Sequence, residues 1–384
     1  MSEQYDCIVL GVGGFGSGAL YHLARRGARV LGIERFTVAH DRGSSHGETR
    51  IIRKAYFEHP DYVPLLHRAY DLWHELEQTM GRRLMHPVGL FITGAPSCES
   101  VAGTVLAAER HHLPIERLST GAARRRFPGF RFDDEFEVVF EPQAGYLEVE
   151  NCVAAHIEAA VARRAVLRTN EAVVGWESDG RRVVVRTDDG EYTAASLVIT
   201  AGPWAADLLN ACAVESAPAS WGKLLQVVRK PVFWFNARPQ FDVAAGTPTF
   251  FFETAAGQFY GFPRIDGRTL KVAEHTGGDA VANPLAVDRT QQPDDLTRLG
   301  RFLRDHLPGI GPVPDRHAVC MYTKTPDSHF CIDRHPRWSN VAVGAGFSGH
   351  GFKFTTVLGE ALADLALDGK TTLPVEFLSV KRFT

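Results

Sequence analysis

The 384-residue chain is short of the features that mark several whole classes of protein. It has six cysteines, Cys7, Cys98, Cys152, Cys212, Cys320 and Cys331, far apart and with no CxxC pair. That excludes a disulfide scaffold and points to a reducing, cytoplasmic setting. Its 16 histidines include no HxH or HExxH, and the adjacent His111 and His112 diverge on a helix, so no metal site is expected. No sign of charge dominates: 42 Lys and Arg stand against 45 Asp and Glu. There is no electrostatic case for nucleic acid or an anionic membrane. No uncharged apolar run reaches the ~18–20 residues of a membrane span. The polar stretch Met1 to Asp6 and the short run behind it predict no signal peptide, and Lys381-Arg382-Phe383-Thr384 is no peroxisomal address. What remains is an ordinary folded composition, 45% hydrophobic and 23% charged, on a chain too long for one core. Two domains, or one with a large insertion, are expected.

The first 34 residues read as strand, glycine turn, helix, strand. Cys7-Ile8-Val9-Leu10 is a buried parallel strand by its unbroken apolar run. Gly18 to Arg26 has apolar residues at helical spacing and stops at Gly27. Arg29 to Ile33 is a second strand closing on Glu34. Helices are predicted near 62–79, 149–164 and 352–368, and strands at 196–200 and 340–345. Residues 216–319, rich in aromatics and turns, predict a β-rich layer. α/β character at the start, middle and end implies one discontinuous nucleotide-binding domain with a second domain inserted. The expected division is 1–80, 150–215 and 320–384 against 81–149 and 216–319.

GxGxxG occurs twice, at Gly11/Gly13/Gly16 and Gly344/Gly346/Gly349, where chance predicts about 0.3 occurrences. Both follow an apolar strand and open a helix. The first is followed by a strand ending in Glu34, an acceptor for ribose hydroxyls, and its glycines allow a pyrophosphate close to the helix N-terminus. The competing reading is a strand–helix turn that merely needs glycine. The second lacks such an acid, and its helix N-terminus suits another electron-rich group, such as the pyrimidine edge of a flavin. A motif at the start of the chain whose sheet returns only near residue 196 favours FAD over NAD.

Longer blocks carry a family likeness. Glu34 with the first glycine motif, Gly43-Ser44-Ser45-His46-Gly47-Glu48-Thr49-Arg50-Ile51-Ile52-Arg53, Tyr260-Gly261-Phe262-Pro263, Val319-Cys320-Met321-Tyr322-Thr323-Lys324-Thr325 and Gly346-Phe347-Ser348-Gly349-His350-Gly351-Phe352-Lys353-Phe354 resemble, in order, the monomeric sarcosine oxidase and N-methyltryptophan oxidase family. The resemblance spans essentially the whole chain. It implies an α/β fold with a discontinuous Rossmann-like FAD-binding domain and an inserted β-sheet-rich α+β substrate domain. It also implies a monomer that oxidises secondary amines of amino acids with covalent FAD and O2, giving an imine and H2O2.

By the same resemblance Cys320 is the covalent anchor for the flavin 8α-methyl. Arg53 and Lys353 grip the substrate carboxylate, in a pocket with Tyr260, Tyr322 and Phe251. Arg50 is a near-flavin cation, Lys271 activates oxygen, and His275 positions the substrate and balances protons. The cofactor contacts implied are Gly11, Gly13, Gly14, Gly16, Glu34, Arg35, Ser44, His46, Thr49, Arg50, Gly202, Trp204, Cys320, Met321, Gly346, Gly349, His350, Gly351 and Lys353. Four positions depart from the family: Phe251 stands for a methionine, Lys54 for a histidine, Arg264 for a small residue and Glu48 for an aspartate. The added cations Lys54 and Arg264 suggest a second substrate carboxylate, as in iminodiacetate-like amines. The rival on the same fold is a dehydrogenase with an acceptor other than oxygen.

Overall fold

The computed structural model describes residues 4–210 and 221–383, so Cys212 and the expected domain limit at 215/216 lie outside the described residues. The N-terminal pattern folds as strand β1 (Gln4–Leu10), helix α1 (Gly14–Arg25) and strand β2 (Val30–Glu34). α1 begins at Gly14, one turn before the predicted start, because its glycines are helical residues used for close contact. A Cβ on Gly16 would fall 1.8 Å from the Gly11 carbonyl oxygen, and one on Gly18 would fall 2.3 Å from that of Thr355. β1 runs parallel to β2 and to Glu191–Ile199, which also pairs in parallel with Val341–Ala345. These strands form the middle of an eight-stranded sheet. Successive β1 side chains alternate between its faces. Cys7 and Val9 meet the helices α1, Val149–Val161 and Thr355–Asp368, while Ile8 and Leu10 meet Trp176, Ala205 and Leu209.

A nine-stranded sheet collects Leu90–Gly94, Glu137–Glu141, Gln226–Asn236, Thr249–Thr254, Gly257–Phe262, Thr269–Glu274 and Arg316–Lys324, with two short edge strands. Arg316–Lys324 pairs with Gln226–Asn236 over nine residues, so the expected boundary at residue 320 falls inside one hydrogen-bonded ladder. A three-stranded sheet joins β3 (Thr49–Ile52), Gly145–Glu148 and Met85–His86. Among the described residues the cysteines are free, no helix is long and apolar enough to cross a membrane, and no cluster of three metal-type side chains occurs. The last helix begins at Thr355, because Phe352–Phe354 is a separate 3-10 turn.

Strand alternation sorts the second sheet into a structural face and a chemical one. Phe233, Phe235, Phe250, Phe252, Phe259, Leu270 and Val272 fill a phenylalanine-rich core. Their immediate neighbours Trp234, Phe251 and Tyr260 face the other way, in a layer with Phe57, Phe262 and Cys320.

Candidate active site

One cavity of about 470 Å³ is lined from both large sheets. Glu34, Arg35, Gly202 and Trp204 line it around β2, and Gly11, Gly13, Gly14 and Ser44 line it beside the start of α1. Arg50, Arg53, Phe251, Tyr260, His275, Met321, Tyr322, Gly349, His350, Gly351 and Lys353 line the rest. The geometry thus gathers most of the residues singled out from sequence. Gly16, His46, Thr49, Lys271, Cys320 and Gly346 do not line it. Gly16 is spent on contact with Gly11. Gly346, at φ +66, makes a tight turn in which a Cβ would lie 2.4 Å from the Thr325 methyl.

The cavity suits a dinucleotide. Nothing lies within 4 Å of a Cβ built on Gly13, so that face of the loop is open. The N-cap of α1 has no side-chain cap and the first turn no acid, which leaves its N–H donors and positive dipole end for an anion. A Cβ on Gly14 would lie 3.0 Å from the Thr355 methyl, so the C-terminal helix starts beside α1. Glu34 is buried, with one carboxylate oxygen accepting from Val12 N at 2.8 Å and the other from Phe36 N at 3.1 Å. Trp204 Nε1 and Thr323 Oγ1, on two residues that line the cavity, are buried without a hydrogen-bond partner among the described residues. Buried polar atoms are usually completed by protein, water or a ligand, and beside a cavity of this size a ligand can do so. The residues present therefore fit FAD.

Cys320 lies behind Arg50, on the chemical face of the second sheet. Arg50 donates to Ser44 O at 2.9 Å and lies 3.4 Å from Cys320 Sγ, with His46 Nδ1 at 3.9 Å from the same sulfur. Burial pushes the thiol up, but His46, Arg50 and Lys271 outweigh it and bring it from 9.0 down to about 6. Burial dominates at the other buried thiols: Cys7 is pushed up to about 12, and Cys331 to about 11 although Arg382 pulls it down. In cofactor-free chain, alkylation of Cys320 by iodoacetamide is expected to reach half its plateau rate near pH 6, read by peptide mass spectrometry, with Cys331 silent at neutral pH. A midpoint near 9 would refute the assignment. Between about pH 6 and 9 the folded chain binds fewer protons here than the unfolded chain. This group therefore adds stability as pH rises across that window and loses it as pH falls through 6.

Lys271 is buried in the adjacent strand. Its Nζ donates to the carbonyls of Gly47 and Thr49 and lies 3.3 Å from Thr49 Oγ1. Burial and the Arg50 charge lower it to about 7, against the opposing pull of Cys320. Those two carbonyls bracket Glu48, a non-glycine residue at φ +72. The strained turn is held by the Glu150 carboxylate, which accepts from Gly47 N at 2.6 Å and Glu48 N at 3.1 Å. Glu48 also accepts from Trp234 Nε1 at 2.8 Å and pairs with Arg316. Sequence reasoning missed Glu150, which is 103 residues from its partner Gly47.

Arg53 and Lys353 form the cationic end of the cavity. The Arg53 guanidinium lies 4.2 Å from the ring centroids of both Tyr56 and Phe57, and it donates to Ala55 O at 2.9 Å. It also donates to the Glu58 carboxylate at 2.6 Å. Glu58, another residue missed from sequence, lines the same cavity. Burial pushes its carboxyl up, but Arg53, His350 and Lys353 hold it at about 2. Lys353 Nζ donates to His350 O at 2.7 Å, and burial with the Arg53 charge lowers it to about 7. Opposite stands an aromatic wall. His275 is 5.6 Å from Tyr322, 6.1 Å from Phe251 and 6.2 Å from Tyr260, ring to ring. Burial and the nearby Lys230 lower His275 to about 3, so it is neutral at physiological pH.

The two extra cations go elsewhere. Arg264 pairs with Asp242 at 2.9 Å and donates to Ala237 O, while Lys54 Nζ reaches Gln143 at 3.2 Å and covers the Tyr70 ring. Neither lines the cavity, which removes the observation that suggested a second substrate carboxylate.

Comparison with known proteins agrees with this geometry. The family model described as FAD dependent oxidoreductase matches residues 6–365. The chain is 41% identical over 390 residues to a monomeric sarcosine oxidase of Streptomyces avermitilis, covering 100% of this chain and 98% of that protein. It is 36% identical to an N-methyl-L-tryptophan oxidase of Yersinia pestis, covering 99% and 100%. Among solved structures, NikD, an amino acid oxidase essential for nikkomycin biosynthesis, superposes with TM-score 0.85 at 28% identity, covering 98% of each chain. A glycine oxidase from Geobacillus kaustophilus, at 22% identity and TM-score 0.80, shares the fold. One sheet that opens on a glycine loop for a dinucleotide and a second that walls a cationic, aromatic chamber are thus matched by sequence along nearly the whole chain, and the chain belongs to the FAD dependent oxidoreductase family.

Proposed function

We propose that this protein is a FAD-dependent oxidase of secondary amines of amino acids, such as sarcosine or another N-substituted amino acid. One observation carries the reading: a single cavity joins the dinucleotide end at Glu34 to an Arg53–Lys353 pair facing Tyr260, His275 and Tyr322. Bound FAD would be held by Gly11, Gly13, Gly14, Glu34, Arg50, Trp204 and Met321, and supplies two-electron acceptance from the substrate C–N unit with transfer to dioxygen. Arg53 offers a planar fork to the substrate carboxylate and Lys353 a point charge, which fixes the amine end against the aromatic wall. Phe57, Phe251, Tyr260 and Tyr322 exclude water from that end. Neutral His275 carries no positive charge to repel a cation, and its ring nitrogens can orient an amine without a base being required. The substrate loses two electrons and two protons to give an imine. Water converts the imine to the shorter amine and an aldehyde, and dioxygen leaves as H2O2. For sarcosine the products are glycine and formaldehyde.

Attachment of the cofactor through Cys320 belongs to the same reading, supported by the depressed thiol between His46 and Arg50. So do a monomeric state, a cytoplasmic location and a two-domain division whose last limit falls outside the strand Arg316–Lys324 rather than at 320. A peroxide assay over sarcosine, N-methylated amino acids, L-pipecolate, L-proline and iminodiacetate tests the function. Turnover is expected on at least one mono-carboxylate secondary amine, with iminodiacetate poor. Silence across the panel overturns the proposal.

A further inference from the structure

The segment between the strand pair Asp279–Ala280 and the helix Thr297–His306 crosses the back of the cofactor loop without lining any catalytic wall at its centre, residue 289. It is pinned from below. Arg229, in strand Gln226–Asn236, forms a two-pronged ion pair with Asp295 at 2.6 and 2.9 Å, both side chains under 8% exposed, and donates to the carbonyls of Asp288 and Thr290. Asp288 closes the turn by accepting from Thr290 and Gln292. A His317 ring nitrogen lies 3.2 Å from the Arg289 carbonyl.

This clip holds out one side chain. The Arg289 guanidinium donates to Val319 O at 2.7 Å, to Asp41 O at 3.0 Å and to Arg42 O at 2.6 Å. Val319 is the residue before Cys320, and Asp41 and Arg42 begin the loop that carries Ser44 and His46 to the Cys320 sulfur. Arg50 ties the same loop to the same sulfur from the inner side, through Ser44 O. Two arginines therefore stitch one loop to one strand, Arg50 at the Cys320 sulfur and Arg289 at the preceding carbonyl of Val319.

We propose that Arg289 is a positioning residue for Cys320: it fixes the 41–46 loop against the strand and adds positive potential, so that the thiolate forms and faces the cofactor for attachment. The inference rests on the attachment reading above and names a residue that serves it. In the attachment itself, Cys320 sulfur forms one S–C bond to the 8α-methyl carbon. The thiol proton and one C–H proton are given up, and the released electron pair passes to dioxygen, which leaves as H2O2. His46 and Arg50, from the loop and β3, and Lys271, from its strand, act most strongly on the sulfur; Arg289 adds a smaller positive potential from the clip, and the Tyr260 and Tyr322 hydroxyls also couple to the thiol. Lys230, opposite Cys320 in register, directs its ammonium to Thr276 O instead.

The test compares the full-length chain, Arg289→Gln and Arg289→Lys, each made under riboflavin limitation. Two quantities are read: the rate at which acid-insoluble flavin accumulates after FAD is added, and the pH midpoint of Cys320 alkylation before it is added. Arg289→Gln is expected to raise the midpoint by about one unit, hence to hold about tenfold less thiolate below it. Accumulation is expected to slow by about the same factor, while acid-released FAD shows full binding. Arg289→Lys is expected to recover most of the midpoint, since it keeps the charge, but less of the rate, since it lacks the fork. An unchanged midpoint and rate in Arg289→Gln, or a lower Tm with both unchanged, overturns the inference. If the parent chain itself holds only acid-released flavin, the attachment reading falls, and the alkylation midpoint alone then decides whether Arg289 sets the thiolate.

Discussion

Arg53→Met is expected to lower kcat/KM for the best amino-acid substrate by roughly 30- to 3,000-fold, while flavin content and its visible spectrum stay close to those of the parent. Truncating one member of a buried, hydrogen-bonded charge pair costs about 2–5 kcal/mol, and about 1.4 kcal/mol is a decade in rate. Arg53 qualifies on each count. It is 5% exposed, bonded to Ala55 O and Glu58, and sandwiched between the Tyr56 and Phe57 rings. Methionine keeps much of the length but none of the donors. Lys353→Met is expected to fall in the same range, because Lys353 is buried at the same end. Steady-state peroxide assays decide it. Turnover undiminished in both variants would remove the carboxylate clamp, and with it the substrate class.

Lys271→Met is expected to separate the two half-reactions. Anaerobic bleaching by substrate is expected to stay within a few-fold of the parent. Reoxidation by dissolved O2, followed by stopped flow, is expected to slow by about 10²–10³-fold, the usual effect of removing one preorganised charge or donor from a developing anion. The structure gives a reason to expect this even though Lys271 stands behind β3 and off the cavity wall. Its ammonium is buried within a low-dielectric layer with Arg50 and Cys320, where a charge acts over several ångströms. Methionine is close in volume, so packing against Trp234 and Phe262 is little disturbed. Reoxidation at the parental rate would reassign oxygen activation to another residue and revive the dehydrogenase reading.

Much of the frame was legible because local pattern carries it. The unbroken apolar run to Leu10, three glycines at fixed offsets and an acid closing the next strand specify β1, α1, β2 and the dinucleotide end without reference to the rest of the chain. Strand alternation likewise explains why Tyr260 and Phe251 face the chamber while Phe259 and Phe250 do not. The partners of charged groups were not legible. Arg264 meets Asp242, Lys54 meets Gln143 and Arg289 meets Asp41, all through tertiary folding that leaves no periodic trace. For the same reason two cations that looked available for substrate prove to be structural. Glu58 and Glu150, with no motif to mark them, prove to sit on Arg53 and on the Gly47–Glu48 turn.

The placement of Glu58 has a consequence for how the enzyme meets its substrate. If Arg53 and Lys353 hold the substrate carboxylate, as proposed, the Glu58 carboxylate is a tethered mimic of that group, already seated on Arg53 at 2.6 Å. On that reading the substrate carboxylate competes with Glu58 for Arg53. Affinity reports only the difference between guest and incumbent. The resident anion also screens the chamber against stray inorganic ions that would otherwise collect at two bare cations.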